Sequence, residues 1–282
     1  MTEETQPSEW GGATMPSSAA IRELIGAGPF GVPGRVKLTA ISATRWHRHG
    51  RAGVPLRDGG KVFLNRSTLA SDLETLREIF VPRKNPYGAD YGGAVVVDVG
   101  AHKGYFGAFA LLGGARCVIS YEPASENFAL LERAAASFRR RGLQWETRQE
   151  AVGEESGSGV LSLSAESWTH SLHARLPPTG PAHRVSSEVV SVVAGRDVLD
   201  DARRRASGHR LIVKIDAEGA ECGICRAAAS AWDPVDELFV ETHDSAPCTV
   251  DDLLAEPRRS GLAPAENRGL VLRLTRTGTG VR

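Results

Sequence analysis

The segment from Ala94 to Gly104 constrains the fold of this 282-residue chain more than any other part. It begins with the apolar run Ala94-Val-Val-Val, which is typical of a strand buried on both faces of a parallel sheet. Asp98 and Gly100 follow, and an apolar stretch with the length of a short helix comes after Gly104. Ligands of open parallel sheets bind beyond the carboxyl ends of the strands, so this loop is predicted to border a binding site.

The region from residue 92 to residue 282 alternates strand patterns with helix patterns. This alternation predicts an α/β fold with a doubly wound, mostly parallel sheet of the Rossmann-like class. An insertion, residues 153–196, carries two short β-like runs and is predicted to be a β-hairpin with a long loop. The predicted strands cover residues 94–99, 117–121, 143–147, 211–215, 238–241 and 270–274.

The first 91 residues divide into two segments by composition. Residues 1–34 are rich in Gly, Pro, Ser and Thr and are predicted to be a flexible arm, with one or two helical turns at 20–25. Residues 35–91 are predicted to be a cap in front of the main domain. In this cap the alternation at 36–41 predicts a strand, and apolar residues at helical spacing predict a helix at 71–80.

Composition and charge narrow the classes of partner. Lys and Arg number 34, as do Asp and Glu, so the chain lacks the basic imprint of a nucleic-acid-binding protein. No apolar run is long enough to predict a membrane-spanning helix. The N-terminus is polar and acidic, which favours a cytoplasmic location. Cys222 and Cys225 are expected to be packed and reduced, because no second C-x-x-C completes a zinc site.

The glycine spacing and one carboxylate indicate the kind of ligand. The loop glycines are Gly100, Gly104 and Gly107, a spacing that disfavours the dinucleotide fingerprint G-x-G-x-x-G. Glu122 ends the second strand, 24 residues after Asp98, where a carboxylate accepts hydrogen bonds from ribose hydroxyls. These residues together favour a nucleoside ligand whose ribose carries no phosphate.

Three strings resemble the FkbM family of S-adenosylmethionine-dependent methyltransferases: Asp98–Phe106, Tyr121–Phe128 and Val213–Glu221. The resemblance covers roughly residues 90–245 and implies that 92–282 is a domain that binds S-adenosylmethionine. It places the methionine part of the cofactor at Asp98, Gly100 and Gly104, the ribose at Glu122, and the adenine beside Glu150 and Ala151. His102, Ser171 and Asp216 complete the implied cofactor set.

The predicted catalytic residues are Asp216 and His243, at the ends of the fourth and fifth strands. Methyl transfer to oxygen requires the hydroxyl to lose its proton, so a carboxylate or imidazole must lie within hydrogen-bond reach. Glu241 and His243 alternate to the same side of their strand. Asp216, Glu241 and His243 are therefore an alternative set for a divalent metal, although the preferred interpretation includes no metal.

We expect an O-methyltransferase that acts on a hydroxyl of a small molecule, either a sugar or a secondary metabolite in natural-product biosynthesis. The cap and the 153–196 insertion are expected to form the acceptor pocket. Three alternatives stay open: an N- or C-methyltransferase, an NAD-dependent oxidoreductase, and a non-catalytic nucleotide-binding module. The sequence does not fix the oligomeric state, and a homodimer is one option.

Overall fold

A computed structural model of the chain describes residues 18–43, 50–163, 186–243 and 248–276. The helices are α1 (Ser18–Gly26), α2 (Val32–Ala43), α3 (Leu69–Phe80), α4 (Tyr105–Leu112), α5 (Ser125–Arg139), α6 (Gly195–Ala206), α7 (Glu221–Ala228) and α8 (Val250–Arg259). The strands are β1 (Arg51–Pro55), β2 (Lys61–Asn65), β3 (Val95–Val99), β4 (Cys117–Tyr121), β5 (Gln144–Arg148), β6 (Ala151–Gly153), β7 (Gly157–Leu163), β8 (Ser186–Ala194), β9 (Leu211–Ile215), β10 (Glu237–Glu241), β11 (Leu262–Arg268) and β12 (Val271–Arg276).

The central sheet has seven strands in the order β11-β12-β10-β9-β3-β4-β5. Five of them, β3, β4, β5, β9 and β10, run parallel, whereas β12 is antiparallel to both of its neighbours. The order reverses between β3 and β9, which confirms the predicted doubly wound sheet. In such sheets the crevice for ligands lies at this reversal, where the loops after β3 and β9 meet.

Strands β3 and β9 are buried along their whole length because helices cover both faces of the sheet. One apolar core lies between the sheet and α1 to α5, and the other lies between the sheet and α6 to α8. Edge strand β11 was not predicted, because its polar sequence Leu262-Ala-Pro-Ala-Glu-Asn-Arg lacks apolar alternation. Among the described residues, no helix combines the length and apolar character needed to cross a membrane.

The N-terminal segments are packed into the same core as the sheet. Leu24 and Phe30, which fall within the predicted flexible arm, have no exposed surface. The predicted strand at 36–41 was wrong, because these residues belong to helix α2. Its buried residues Leu38 and Ile41 are three positions apart, so the short apolar pattern fits the helical period as well as the strand period. The helix predicted at 71–80 is confirmed as α3.

Strand β6 and the two strands of the insertion form a second, three-stranded sheet in the order β6-β8-β7. Strands β7 and β8 pair antiparallel, which confirms the predicted hairpin in the described part of the insertion. One expectation about the cysteines was wrong, since Cys222 forms a disulfide with Cys248 instead of staying reduced. Cys225 is a buried free thiol.

A buried ion pair joins the cap to the main sheet. Lys103, in the loop before α4, donates to Asp72 of α3, and both side chains are fully buried. Asp72 also accepts hydrogen bonds from the amide of Asn65 and the hydroxyl of Thr68. Burial raises the pKa of Asp72 and lowers that of Lys103 despite their attraction, so neither charge is stable here without the other.

Replacing Lys103 alone is therefore expected to destabilise the protein strongly. Lys103→Met leaves Asp72 buried and uncompensated, and should lower the free energy of unfolding by about 3–5 kcal/mol. The double variant with Asp72→Asn should regain much of this loss in denaturant unfolding. Arg258→Met removes an exposed ion pair with Asp251 and should cost less than about 1 kcal/mol. Equal costs for Lys103→Met and Arg258→Met would show that the buried pair does not hold the cap.

Candidate functional site

Two adjoining cavities lie at the point where the strand order reverses. The first cavity extends from the ends of β3 and β4 towards the insertion, and the second extends from the ends of β3 and β9 towards α3. They share four residues, namely Gly100, His102, Asp216 and Glu218. A molecule in one cavity is therefore adjacent to a molecule in the other.

Gly100 permits the close approach of the two loops that separate the cavities. Its φ is +72°, and a Cβ atom there would lie 1.7 Å from the carbonyl oxygen of Asp216. The amide of Asp216 in turn donates to the carbonyl of Val99 at 3.1 Å. Only glycine fits this position, so the sequence loop Asp98-Val-Gly100 is fixed by backbone contact as well as by the turn.

Glu122 lines the first cavity and is held rigidly at the end of β4. Its Oε2 accepts a hydrogen bond from the amide of His102 at 2.8 Å, and its Oε1 accepts one from the amide of Ala124 at 2.9 Å. Burial raises the pKa of Glu122 to about 7, although these two hydrogen bonds lower it. Each oxygen keeps a lone pair for a ligand, and a ligand that donates two hydrogen bonds would favour the ionised form.

The remaining wall of the first cavity is mostly apolar. Tyr121, Val152 and Leu161 line it, and Leu161 comes from strand β7 of the insertion. Glu150 and Ala151 also line this cavity, as Glu122 does. Both were predicted as cofactor residues. Ser171, also predicted, lies outside the described residues.

Asp98 and Gly104, which were predicted to contact the cofactor, do not line the first cavity. Asp98 is completely buried beneath the loop, where it accepts a hydrogen bond from the hydroxyl of Ser120 at 3.3 Å. Gly104 has φ +83°, and a Cβ atom there would lie 2.8 Å from Leu131 and 2.9 Å from Trp145. Asp98 lies beneath the loop after β3 and supports it. Gly104 allows the start of α4 to pack closely against Leu131 and Trp145.

Lys214 is a functional residue that the sequence interpretation missed. Its Nζ donates to the carbonyl of Gly100 at 2.9 Å and to Asp216 Oδ2 at 3.2 Å, and lies 3.6 Å from Asp98 Oδ1. Burial alone would lower the pKa of Lys214, but the charges of Asp216 and Asp98 raise it above its usual value. The signal in the sequence was a lysine within the apolar strand Leu211–Ile215, since a buried lysine requires partners.

His243 and three carboxylates form a cluster beside the cavities. His243 Nδ1 lies 3.1 Å from Glu221 Oε1, and its Nε2 lies 3.5 Å from Glu218 and 3.7 Å from Asp216. Glu221 accepts hydrogen bonds from the amides of Ala217 and Gly219, so its orientation is fixed. A carboxylate acceptor places a proton on Nδ1 of His243.

The charges of this cluster determine the protonation of its members. Burial alone would lower the pKa of His243, but the hydrogen bond to Glu221 and the charges of Glu218 and Asp216 raise it to about 9. Burial and the charge of Asp216 raise the pKa of Glu218 to about 8. His243 is thus an imidazolium at neutral pH, and it lines neither cavity, whereas Asp216 lines both.

The potential metal ligands differ from the predicted set. Within the ranges that the structure describes, Asp216, Glu218 and His243 have donor atoms within 4.8 Å of one another. Glu241, predicted in place of Glu218, lines the second cavity instead. Glu218 has φ +50°, a left-handed conformation that a non-glycine residue adopts at a cost, and such strain is concentrated at functional sites.

Comparison with known proteins gives similarities of low identity. No protein-family model matches the chain, and no curated protein matches it. The methyltransferase FkbM from Methylobacillus flagellatus is 14% identical with a TM-score of 0.41, over 75% of this chain and 55% of that chain. Magnesium protoporphyrin IX methyltransferase from Synechocystis, solved with bound SAM, is 10% identical with a TM-score of 0.37, over 67% and 72%. The site is therefore interpreted from its own residues.

Removing the carboxylate that orients His243 should lower the pKa of the imidazole. In Glu221→Gln, we expect the pKa of His243 to fall from about 9 towards its ordinary value of 6.5, as measured by NMR titration of the ring. Glu155→Gln changes an exposed glutamate and should leave this titration unaltered. Identical titrations in the Glu221→Gln variant and the wild type would contradict the assigned contact.

The raised pKa of His243 also predicts how the free energy of unfolding depends on pH. The folded-state pKa of His243 is raised, so its contribution to stability is fully present below about pH 6.5 and is lost as the pH rises through about 9. The wild type should therefore exceed Glu221→Gln in unfolding free energy by more at pH 6.5 than at pH 9.5. A constant difference across this range would exclude an ion pair between Glu221 and His243.

Proposed function

We propose that the chain is an S-adenosylmethionine-dependent methyltransferase that acts on a hydroxyl of a small molecule. The observation that carries the proposal is the pair of cavities that meet at Gly100, His102, Asp216 and Glu218. A group transfer between two substrates requires two binding sites that share one boundary. Here the first cavity would bind the cofactor and the second would bind the acceptor.

The residues of the first cavity fit S-adenosylmethionine. The two fixed oxygens of Glu122 suit the two hydroxyls of an unmodified ribose. The apolar side chains of Val152 and Leu161 suit a purine ring. At the shared boundary, the carboxylates of Asp216 and Glu218 suit the positive charges of a sulfonium and an amino group. When bound, the cofactor would supply an electrophilic methyl group.

Asp216 is the residue best placed to accept the proton of the acceptor hydroxyl. It lines both cavities, and 27% of its side chain is exposed. Lys214 holds Oδ2 of Asp216 at 3.2 Å, which fixes the orientation of the carboxylate. His243, the other predicted base, is protonated at neutral pH and instead compensates the charges of Asp216 and Glu218. Its role is therefore to position these carboxylates.

The second cavity has the composition of a pocket for a small molecule. Its apolar and aromatic wall consists of Ile79 from α3 and of Tyr87, Tyr105 and Phe106. The presence of Ile79 and Tyr87 in this wall supports the proposed contribution of the cap to an acceptor pocket. Among the described residues of the insertion, Leu161 lines the first cavity instead. The cap would therefore select the acceptor, and the insertion would cover the cofactor.

Glu122→Ala should weaken the binding of S-adenosylhomocysteine by at least about 100-fold. The variant loses two hydrogen bonds from ligand hydroxyls to a carboxylate, each worth about 1.5–3 kcal/mol before relaxation of the site. Isothermal titration calorimetry measures the affinity. Glu155→Ala, an exposed glutamate away from both cavities, is the matched control. Unchanged affinity in Glu122→Ala would refute the assignment of the first cavity.

Thermal stabilisation should distinguish the cofactor from a dinucleotide. S-adenosylhomocysteine should raise the melting temperature of the wild type, because a ligand of the folded state stabilises it in proportion to the logarithm of its concentration. NAD should not, since the glycine spacing disfavours a dinucleotide. Stabilisation by NAD alone would favour an oxidoreductase instead.

A further inference from the structure

The second cavity carries more negative charge than its own residues compensate. Glu78, Asp216, Glu218 and Glu241 line it, and the one cationic side chain that lines it within the described residues is Lys214. Four carboxylates and one ammonium leave a formal charge of three negative when all are ionised. Lys214 makes its hydrogen bonds to Asp216 and to the carbonyl of Gly100, and its single charge does not balance four carboxylates.

Glu78 and Glu241 are the two carboxylates without a partner. In the part of the chain that the structure describes, neither side chain makes a hydrogen bond or an ion pair, whereas Glu218 lies 3.5 Å from His243. Glu78 comes from α3 of the cap, and Glu241 ends strand β10 of the main sheet. The side chain of Glu78 is exposed, and that of Glu241 is half-buried.

Tyr87 gives a second, independent indication of a ligand. Its side chain lines the second cavity and is 95% buried, yet its hydroxyl has no hydrogen-bond partner among the described residues. The ring is fixed by edge contacts with Phe106 and Phe239, at centroid distances of 5.0 and 5.6 Å. The hydroxyl is accessible from the cavity, so a polar group of a bound molecule can be its partner.

We propose that the acceptor is a hydroxylated amine, such as an amino sugar or an amino alcohol, whose ammonium group binds between Glu78 and Glu241. This inference rests on the proposed methyltransferase function and names the class of its acceptor. The carboxylates supply the ion pairs, Tyr87 supplies a hydrogen bond, and Tyr105 and Phe106 supply an apolar wall for the carbon skeleton.

The negative charges of Glu78 and Glu241 also determine which atom of the acceptor is methylated. An ammonium held by two carboxylates stays protonated and has no lone pair, so the nitrogen does not attack. The hydroxyl beside Asp216 reacts instead. Its oxygen forms a bond to the methyl carbon as the carbon–sulfur bond breaks, the electron pair of that bond stays on sulfur, and the hydroxyl proton passes to Asp216.

A matched pair of probes tests the inference. The protein is saturated with S-adenosylhomocysteine, and the binding of trans-4-aminocyclohexanol is compared with that of trans-1,4-cyclohexanediol by saturation-transfer NMR. The amine should bind about tenfold or more tightly than the diol, because a charge-assisted hydrogen bond adds at least about 1.4 kcal/mol. Equal binding of the two probes, or no binding of the amine at any soluble concentration, would overturn the proposal.

Variants of Glu78 and Glu241 test whether these two carboxylates bind the ammonium group. Glu78→Gln and Glu241→Gln should each weaken amine binding about tenfold and leave diol binding unchanged. Glu74→Gln, one turn earlier on α3 and paired with Arg77, is the matched control and should change neither. Both cavity variants remove a repelling charge, so their melting temperatures should equal or exceed that of the wild type. If amine binding is unchanged in Glu78→Gln and Glu241→Gln, the assigned ammonium site is wrong.

Two further measurements separate the causes of a negative result. Affinity for S-adenosylhomocysteine is measured in every protein, because its absence refutes the methyltransferase function, whereas its presence without a preference for the amine refutes only the acceptor class. Magnesium chloride is titrated alone as well. Binding of Mg²⁺ that Glu78→Gln or Glu241→Gln abolishes would show that these carboxylates hold a divalent cation, and would overturn the proposal.

Discussion

The site depends on the buried ammonium of Lys214. It donates to the carbonyl of Gly100 and to Asp216, and it compensates Asp98 beneath the loop. Burying a lysine is costly, so this arrangement is stable only while its partners stay in place. Gly100 belongs to the loop after β3, and Asp216 belongs to the loop after β9. Lys214 thus fixes the two loops that form the boundary between the cavities.

The cations around this lysine do not balance all the carboxylates of the site, and the proposed function accounts for the excess negative charge. Lys214 and the His243 imidazolium are the cations of the described site, and the carboxylates that surround them are more numerous. The excess lies on the side of the cap, at Glu78 and Glu241. A cationic cofactor at the boundary and a cationic acceptor beyond it would balance this excess.

The sequence predicted the sheet and the position of Glu122 at a strand end, because both depend on local pattern, namely apolar runs that alternate with helices and an acidic residue that follows such a run. It could not predict Glu78, which reaches the second cavity because α3 packs against the main domain through its apolar residues and through the pair of Asp72 with Lys103. It placed Asp98 among the cofactor contacts, whereas the structure buries Asp98 beneath the loop, 3.6 Å from Lys214 of a strand more than 100 residues later. The strand predicted at 36–41 was wrong because a run of six residues fits the helical period as well as the strand period.

The most direct test of the account is a crystal structure of the protein with S-adenosylhomocysteine. The account predicts that the ribose hydroxyls bind Glu122, and that the sulfur lies at the shared boundary beside Asp216 and faces the second cavity. A nucleoside bound elsewhere, or a sulfur atom directed away from the second cavity, would contradict the assignment of the two cavities to cofactor and acceptor.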